Sequence, residues 1–335
     1  MLRKIYKIFI FMLVFISAFM ISQASVFATT AKKHVIPGGE TIGLQLDTGV
    51  YIAGKYQVKT KSGKVSPWKN ADIEDGDKLI YVENEKVNTN NDVLKILSQT
   101  TKEELGVVLV RNNRQIKTKI DVVITDNRSK SIGLYIKDRL LGIGTLTFVD
   151  PQTKMFASLG HGIYDANTII GSINGNVTTS QIESIKKASP GKAGEKRASI
   201  SNVSLGKITK NQLSGVYGKI SNPMLLKKDV IEVGSQADIH NGKAIIKTVI
   251  SRNIIEDFDI EIVNVNLQTD TNIKGIKFKV TDDLLISKTG GIIQGMSGSP
   301  IIQDGKLIGA VSHVTVDDPL IGYGMHIEWM INDAK

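Results

Sequence analysis

The stretch Thr289–Val314, TGGIIQGMSGSPIIQDGKLIGAVSHV, decides how this chain is read. Its second half holds two apolar runs joined by Asp304-Gly305. That dipeptide favours a tight hairpin, because the central residues of such a turn need positive φ. Its first half places Ser297 among glycines, as either a turn residue or a nucleophile. A nucleophile elbow requires Gly-x-Ser-x-Gly between a strand and a helix. Here Gly295-Met296-Ser297-Gly298-Ser299-Pro300 carries serine at the fifth position and a hairpin follows. The elbow is excluded on both counts.

The same residues fit a second pattern, Gly-x-Ser-Gly-Gly-Pro before a hairpin, which resembles the chymotrypsin-like proteases with Ser299 replacing the second glycine. A turn without large side chains lets the N–H groups of Gly295 and Ser297 converge on one point. Such a pair stabilises the oxyanion of a tetrahedral intermediate by roughly 3 kcal/mol. The hydroxyl itself is weak without a base. The histidines are His34, His161, His240, His313 and His326. His34 falls in an expected linker, and His313 and His326 read as polar residues of a second barrel. His161, in MFASLGHGIYD, follows an apolar strand directly and lies between two glycines. It also precedes Ser297, the order used by chymotrypsin-like enzymes. An aspartate should orient the imidazole. Asp282 follows a strand and lies fifteen residues before Ser297, but Asp283, Asp165, Asp257 and Asp259 remain open on spacing alone. With no cysteine and no His-Glu-x-x-His, no metal site and no cofactor is expected.

Outward from this site, residues 126–335 contain many short apolar runs: GIGTLTFVD, MFASLGHGI, GKITK, GVYGKI, AIIKTVI, IEIVNVNL and GIKFKV. Short strands with regular turn signals predict a sandwich or barrel. No helix is expected there before HIEWMINDA near the end, and KKASPGKAGEKRAS reads as a solvated basic loop. Residues 35–125 form a separate expected unit. It has strands, a turn at Asp75-Gly76-Asp77, a strand at Lys78–Val82 and an amphipathic helix in NNDVLKILSQTTKE. Val93, Leu94, Ile96 and Leu97 share a face of that helix, with Asn91 or Asp92 as its cap. This order resembles a PDZ domain, with Ile42, Gly43, Leu44, Gln45 and Leu46 at the carboxylate-binding loop and matches at Ala71-Asp72-Ile73 and Gly76-Asp77. Such a loop aims backbone N–H groups at a peptide C-terminus, and the peptide adds a strand.

The N-terminus places Arg3, Lys4 and Lys7 before an apolar run from Ile8 to Ile21 and small residues near Ala28. This describes a signal peptide or membrane anchor over 1–28, followed by a linker at 29–34. Taking those three cations from the 42 basic residues leaves 39 against 33 acidic, a net +6. That modest excess suits an anionic membrane surface. Sparse aromatics, no basic helix and an export signal argue against nucleic acid.

The runs GIGTLTFVDP, LGHGI, TGGIIQGMSGSPIIQDGKLIGAVSHV and GYGMHIEWM together resemble the SpoIVB peptidase family, S55. The resemblance implies a mainly β chain: a signal or anchor segment, an α+β PDZ domain and a chymotrypsin-like double β-barrel peptidase domain. It implies a serine endopeptidase with His161, Asp282 and Ser297 as triad. It further implies export from the forespore into the intermembrane space. The expected substrates are a membrane-bound regulatory protein of a sigma-factor processing complex and the chain itself. Cleavage of the regulator would activate an intramembrane protease and hence a late mother-cell sigma factor. The PDZ unit is expected to hold a peptide C-terminus or its own chain. Gly291, six residues before Ser297, is expected at the floor of a specificity pocket, and Gly322–Gly324 at its wall. The alternative from another class is a non-catalytic PDZ signalling scaffold at the forespore membrane, which would tolerate substitution of His161 and Ser297.

Overall fold

The computed structural model describes residues 33–112, 114–165, 168–169 and 174–335. The expected signal or anchor segment and linker residues 29–32 lie outside them. His34–Lys335 pack as one unit. Among the described residues no helix is long and apolar enough to cross a membrane.

Alternating apolar residues build two closed rings. The first joins β2 (Thr41–Lys55), β6 (Leu134–Val149), β7 (Met155–Ser158), β8 (Asn174–Lys186), β9 (Glu195–Gln212) and β10 (Gly215–Ile220). Running β2–β6–β7–β10–β9–β8 and back to β2, every neighbour is antiparallel. Inward residues of these strands, among them Ile42, Leu44, Leu46, Leu146, Phe156 and Val216, make one core. The second ring joins β12 (Gly242–Val249), β13 (Ile255–Val265), β14 (Ile276–Val280), β15 (Pro300–Gln303), β16 (Lys306–Val314) and β17 (Ile321–His326). It closes as β12–β13–β14–β17–β16–β15 and back to β12. Phe258, Ile260, Phe278 and Ile301 fill it. Closure leaves neither sheet with an open edge, the usual problem of isolated strands. A third core, with Phe148, Tyr217, Leu307 and Met330, packs the rings together and receives helix α3 (Ile327–Asp333). The double barrel and the C-terminal helix agree with the sequence reading.

The small N-terminal unit is an outgrowth of barrel one. The outer half of β2 leaves the ring and pairs with β3 (Lys78–Val82), which pairs with β4 (Glu104–Arg111), which pairs with β5 (Arg114–Asp121). Helix α1 (Asn90–Gln99) covers this sheet through Val93, Ile96 and Leu97. Thr89 caps α1: its hydroxyl accepts from Asp92 N–H while the Asp92 carboxylate accepts from Thr89 N–H. The cap therefore lies before the expected Asn91 or Asp92, because Asp92 serves as the third residue of a capping box. Leu94, expected on the buried face, is 58% exposed. Asp77 is buried and takes two bonds from Arg111, at 2.7 and 2.8 Å, which holds its carboxyl below the usual range.

Two expectations are corrected. The boundary at 125/126 does not divide the cores, since Ile36, Ile42, Leu44 and Leu46 pack in barrel one. Ile42, Gly43, Leu44, Gln45 and Leu46 are not a carboxylate-binding loop. They lie mid-strand in β2 with β6 on one edge and β8 on the other. Two ladders already occupy the backbone N–H groups that such a loop would have to present.

Candidate active site

The Ser297 turn lies at the junction of the barrels, and threonines of barrel one hold it. Thr145, on β6, donates its N–H to Ser297 O at 3.0 Å and its hydroxyl to Gly295 O at 2.8 Å. Thr147, two residues on and facing the same way, donates to Gly298 O at 2.8 Å. Gly298 allows this approach: a Cβ there would sit 2.2 Å from Thr145 O and 2.4 Å from Leu159 N, and its φ is +92°.

Backbone donors in the turn divide sharply. The N–H groups of Gln294, Met296, Gly298 and Ser299 bond to Gly194, Ile293, Val311 and Met296 carbonyls. Among the described residues, the N–H groups of Gly295 and Ser297 have no acceptor. These are the two that the sequence assigns to an oxyanion. A cleft of about 410 Å³ brings Gly295 and Ser297 together with His161. Apolar residues of β6, Leu140, Leu141 and Ile143, also line it.

His161 follows β7 in the Gly160–Ile163 turn. Asn211, at the end of β9, clamps this turn: its side chain accepts from Ile163 N–H at 2.9 Å and donates to Ile163 O at 2.8 Å. His161 Nδ1 lies 2.9 Å from Gly162 O. A carbonyl only accepts, so this bond places the proton on Nδ1 and leaves Nε2 with a free lone pair. Burial, partly opposed by this bond, holds the imidazole below its usual pKa and keeps it neutral at pH 7. Ser297 Oγ donates to Ser312 O at 3.4 Å rather than to His161. His313 packs edge-on against the His161 ring at 5.6 Å between centroids. Burial, with His161 and Lys274 nearby, pushes its pKa down to about 4.

Asp282 is not placed against His161. It caps α2 (Asp283–Thr289), a helix absent from the sequence reading, through a 2.8 Å bond from Leu285 N–H to its carboxylate. Its other oxygen takes a longer bond, 3.4 Å, from Asp259 N–H. Both oxygens are engaged locally, and the Gly162 carbonyl does the tautomer-fixing expected of the aspartate. Among the alternatives, Asp257 pairs with Lys247, and Asp283 is exposed in the first turn of α2. Asparagine caps helices as well as aspartate does. Asp282→Asn therefore retains activity within about tenfold in a peptide-cleavage assay, whereas loss of an imidazole-orienting carboxylate costs about 10⁴-fold. A drop of the latter size would return Asp282 to the imidazole.

The expected pocket glycines are not among the residues that line this cleft. A Cβ on Gly291 would meet Pro319 O at 2.2 Å, and one on Gly322 would meet the Phe278 ring at 2.3 Å inside barrel two. Sequence reading missed Thr145, Thr147, Asn211 and the Gly162 carbonyl. The alternation Thr-x-Thr in an otherwise apolar strand is the one local signal for the first pair. Among the described residues no cluster of side chains could hold a metal ion.

A family model described as SpoIVB peptidase S55 matches residues 128–331. No curated protein matches the chain. Among solved structures the chain is similar to the Rv3671c protease from M. tuberculosis, active form. Identity is 11% and the TM-score 0.35, over 58% of this chain and 72% of that one.

Proposed function

The chain belongs to the SpoIVB peptidase S55 family, a sporulation serine peptidase, and on that premise we propose how its residues cleave a peptide bond and what they cleave. Ser297 is the nucleophile. Rotation about its Cα–Cβ bond takes Oγ from Ser312 O to His161 Nε2, which accepts the proton as Oγ attacks the carbonyl carbon. The oxyanion that forms is held by the N–H groups of Gly295 and Ser297. His161 then returns the proton to the leaving amine, and water completes hydrolysis of the acyl-enzyme by the same route. The observation that carries this reading is the pair of unengaged N–H groups beside a histidine whose free lone pair is already on Nε2.

The substrate reading is finer. The apolar wall of Leu140, Leu141 and Ile143, with no acidic side chain among the described cleft residues, suits an extended apolar segment. The expected export signal and family resemblance support action outside the cytoplasmic face. There the protease would cut a membrane-bound regulatory protein, and itself near its N-terminus, so that an intramembrane protease activates a late mother-cell sigma factor. The outgrowth around α1 is the unit that would restrain the protease or hold a target, through a surface other than Ile42–Leu46.

The test is intact-mass analysis of wild type and Ser297→Ala after incubation at neutral pH, alone and with the membrane target. Fragments from wild type only are the expected result. A wild type that leaves both itself and the target whole would favour the non-catalytic scaffold.

A further inference from the structure

We propose that Lys196 is the positioning residue of the Gly295 donor, its stem backing the turn from beneath and its amine tying that turn to both barrels. This role rests on Ser297 being the nucleophile and Gly295 an oxyanion donor. Lys196 lies in the stretch whose composition reads as a solvated basic loop, yet it is 6% exposed. Its backbone N–H bonds to Gln294 O at 2.9 Å, so β9 starts against the active-site turn. A Cβ on Gly295 would meet the β, γ and δ carbons of Lys196 at 3.1–3.3 Å. The stem is thus the surface on which Gly295 rests at φ +92°. The amine donates to Thr248 Oγ1 at 2.8 Å, on β12 of barrel two, and to Thr41 Oγ1 at 3.4 Å, at the start of β2 in barrel one.

Among the described residues no carboxylate forms an ion pair with this amine, whose hydrogen-bond partners are the two hydroxyls. Of the charges on the neighbouring segments, Glu40 pairs with Lys228 through one carboxylate oxygen, Lys247 with Asp257 and Glu195 with Arg197, while Glu256 lies opposite Thr248 on β13. A buried ammonium with only hydroxyl partners is unfavourable, and such a lysine gives up its proton readily. Burial alone pushes the Lys196 pKa down to about 7. Above that pH the amine is neutral and satisfied by the two threonines. Below it, charge appears at the back of the Gly295 donor. The turn should then lose its alignment at a pH above the one at which His161, held below its usual value, takes its own proton.

A fluorophosphonate probe reads the donor without a known substrate. Ser297 Oγ attacks phosphorus, the P–F bond breaks, fluoride leaves with the serine proton passed through His161, and the phosphoryl oxygen sits where the oxyanion would. The limiting labelling rate and the half-saturating probe concentration are measured against pH for wild type, Lys196→Met and Thr248→Val. Methionine keeps an apolar stem and removes the amine. The valine variant removes the amine's main acceptor with little change of shape, and serves if the first variant fails to fold. In wild type the limiting rate is expected to fall below pH about 7. Lys196→Met should lower the plateau rate at least tenfold, leave half-saturation within twofold, and move the acid limb down to that of His161. Thr248→Val should shift the limb the same way. Plateau and limb unchanged in the folded variants would overturn the proposal. So would a lower plateau with the limb unmoved, which would make Lys196 packing alone. A wild type that takes no label at Ser297 would instead overturn the nucleophile assignment, and this role with it.

Discussion

Ser297→Ala lowers peptide cleavage by about 10⁶-fold, His161→Ala lowers it by a similar factor, and the double variant falls no further, because the two residues act as one unit. The physical reason is the division of labour in the cleft. Without Oγ there is no atom to attack. Without Nε2 the hydroxyl keeps its proton and is a weak nucleophile at neutral pH. Some acceleration over water survives in all three variants, since the N–H groups of Gly295 and Ser297 remain. Neither change should harm folding. Ser297 makes one long side-chain bond, and His161 bonds only to the carbonyl beside it. Rates on a common peptide, with thermal unfolding as control, check the expectation. Additive losses in the double variant would show that the residues do not share a step.

Gly298→Ala acts on both stability and activity, and its cause is steric. The new methyl would lie 2.2 Å from Thr145 O and 2.4 Å from Leu159 N, in backbone that is not free to yield. Thr145 O belongs to the same strand that holds Ser297 and Gly295, and Leu159 is two residues before His161. Relieving the contact means moving the serine turn away from the histidine turn. The φ of +92° adds strain of about 1–3 kcal/mol for a residue with a side chain. Gly305→Ala is the natural control, with φ +75° but nothing within 4 Å of its Cβ. We expect Gly305→Ala to show only the strain. Gly298→Ala should lose about 2 kcal/mol more, in the range of overpacked cores. It should also lose labelling at Ser297 in the fraction that remains folded. Equal urea midpoints for the two variants would mean that barrel one is not held against the turn as described.

The site was partly legible because its two reacting residues sit in local patterns. Ser297 is flanked by glycines and followed by a Asp304-Gly305 hairpin, and His161 ends an apolar strand between glycines. The supporting residues carry no such pattern. Spacing leaves the aspartate open and only the family likeness points to Asp282, whereas a helix cap needs the same residue type in the same sequence context. Ile42–Leu46 alternate as a strand does, and alternation does not say whether a strand's edges are paired. Lys196 belongs to a run of lysines and glycines, where composition favours solvent. The residue is buried because two barrels close over it, from positions 41 and 248.

What the sequence by itself determined is the class: short apolar strands for a sandwich or barrel, the Ser297 turn, the order histidine before serine, and the family motifs. These depend on residues within a few positions of one another, where turn chemistry and strand period act. The tertiary structure decided which atoms face each other across the barrel junction. It left two N–H groups of the turn without acceptors among the described residues, handed the His161 tautomer to a carbonyl, drew the start of β2 into barrel one, and enclosed an amine behind Gly295. Those outcomes follow from packing two barrels, because burial and hydrogen-bond competition are settled only when distant strands meet.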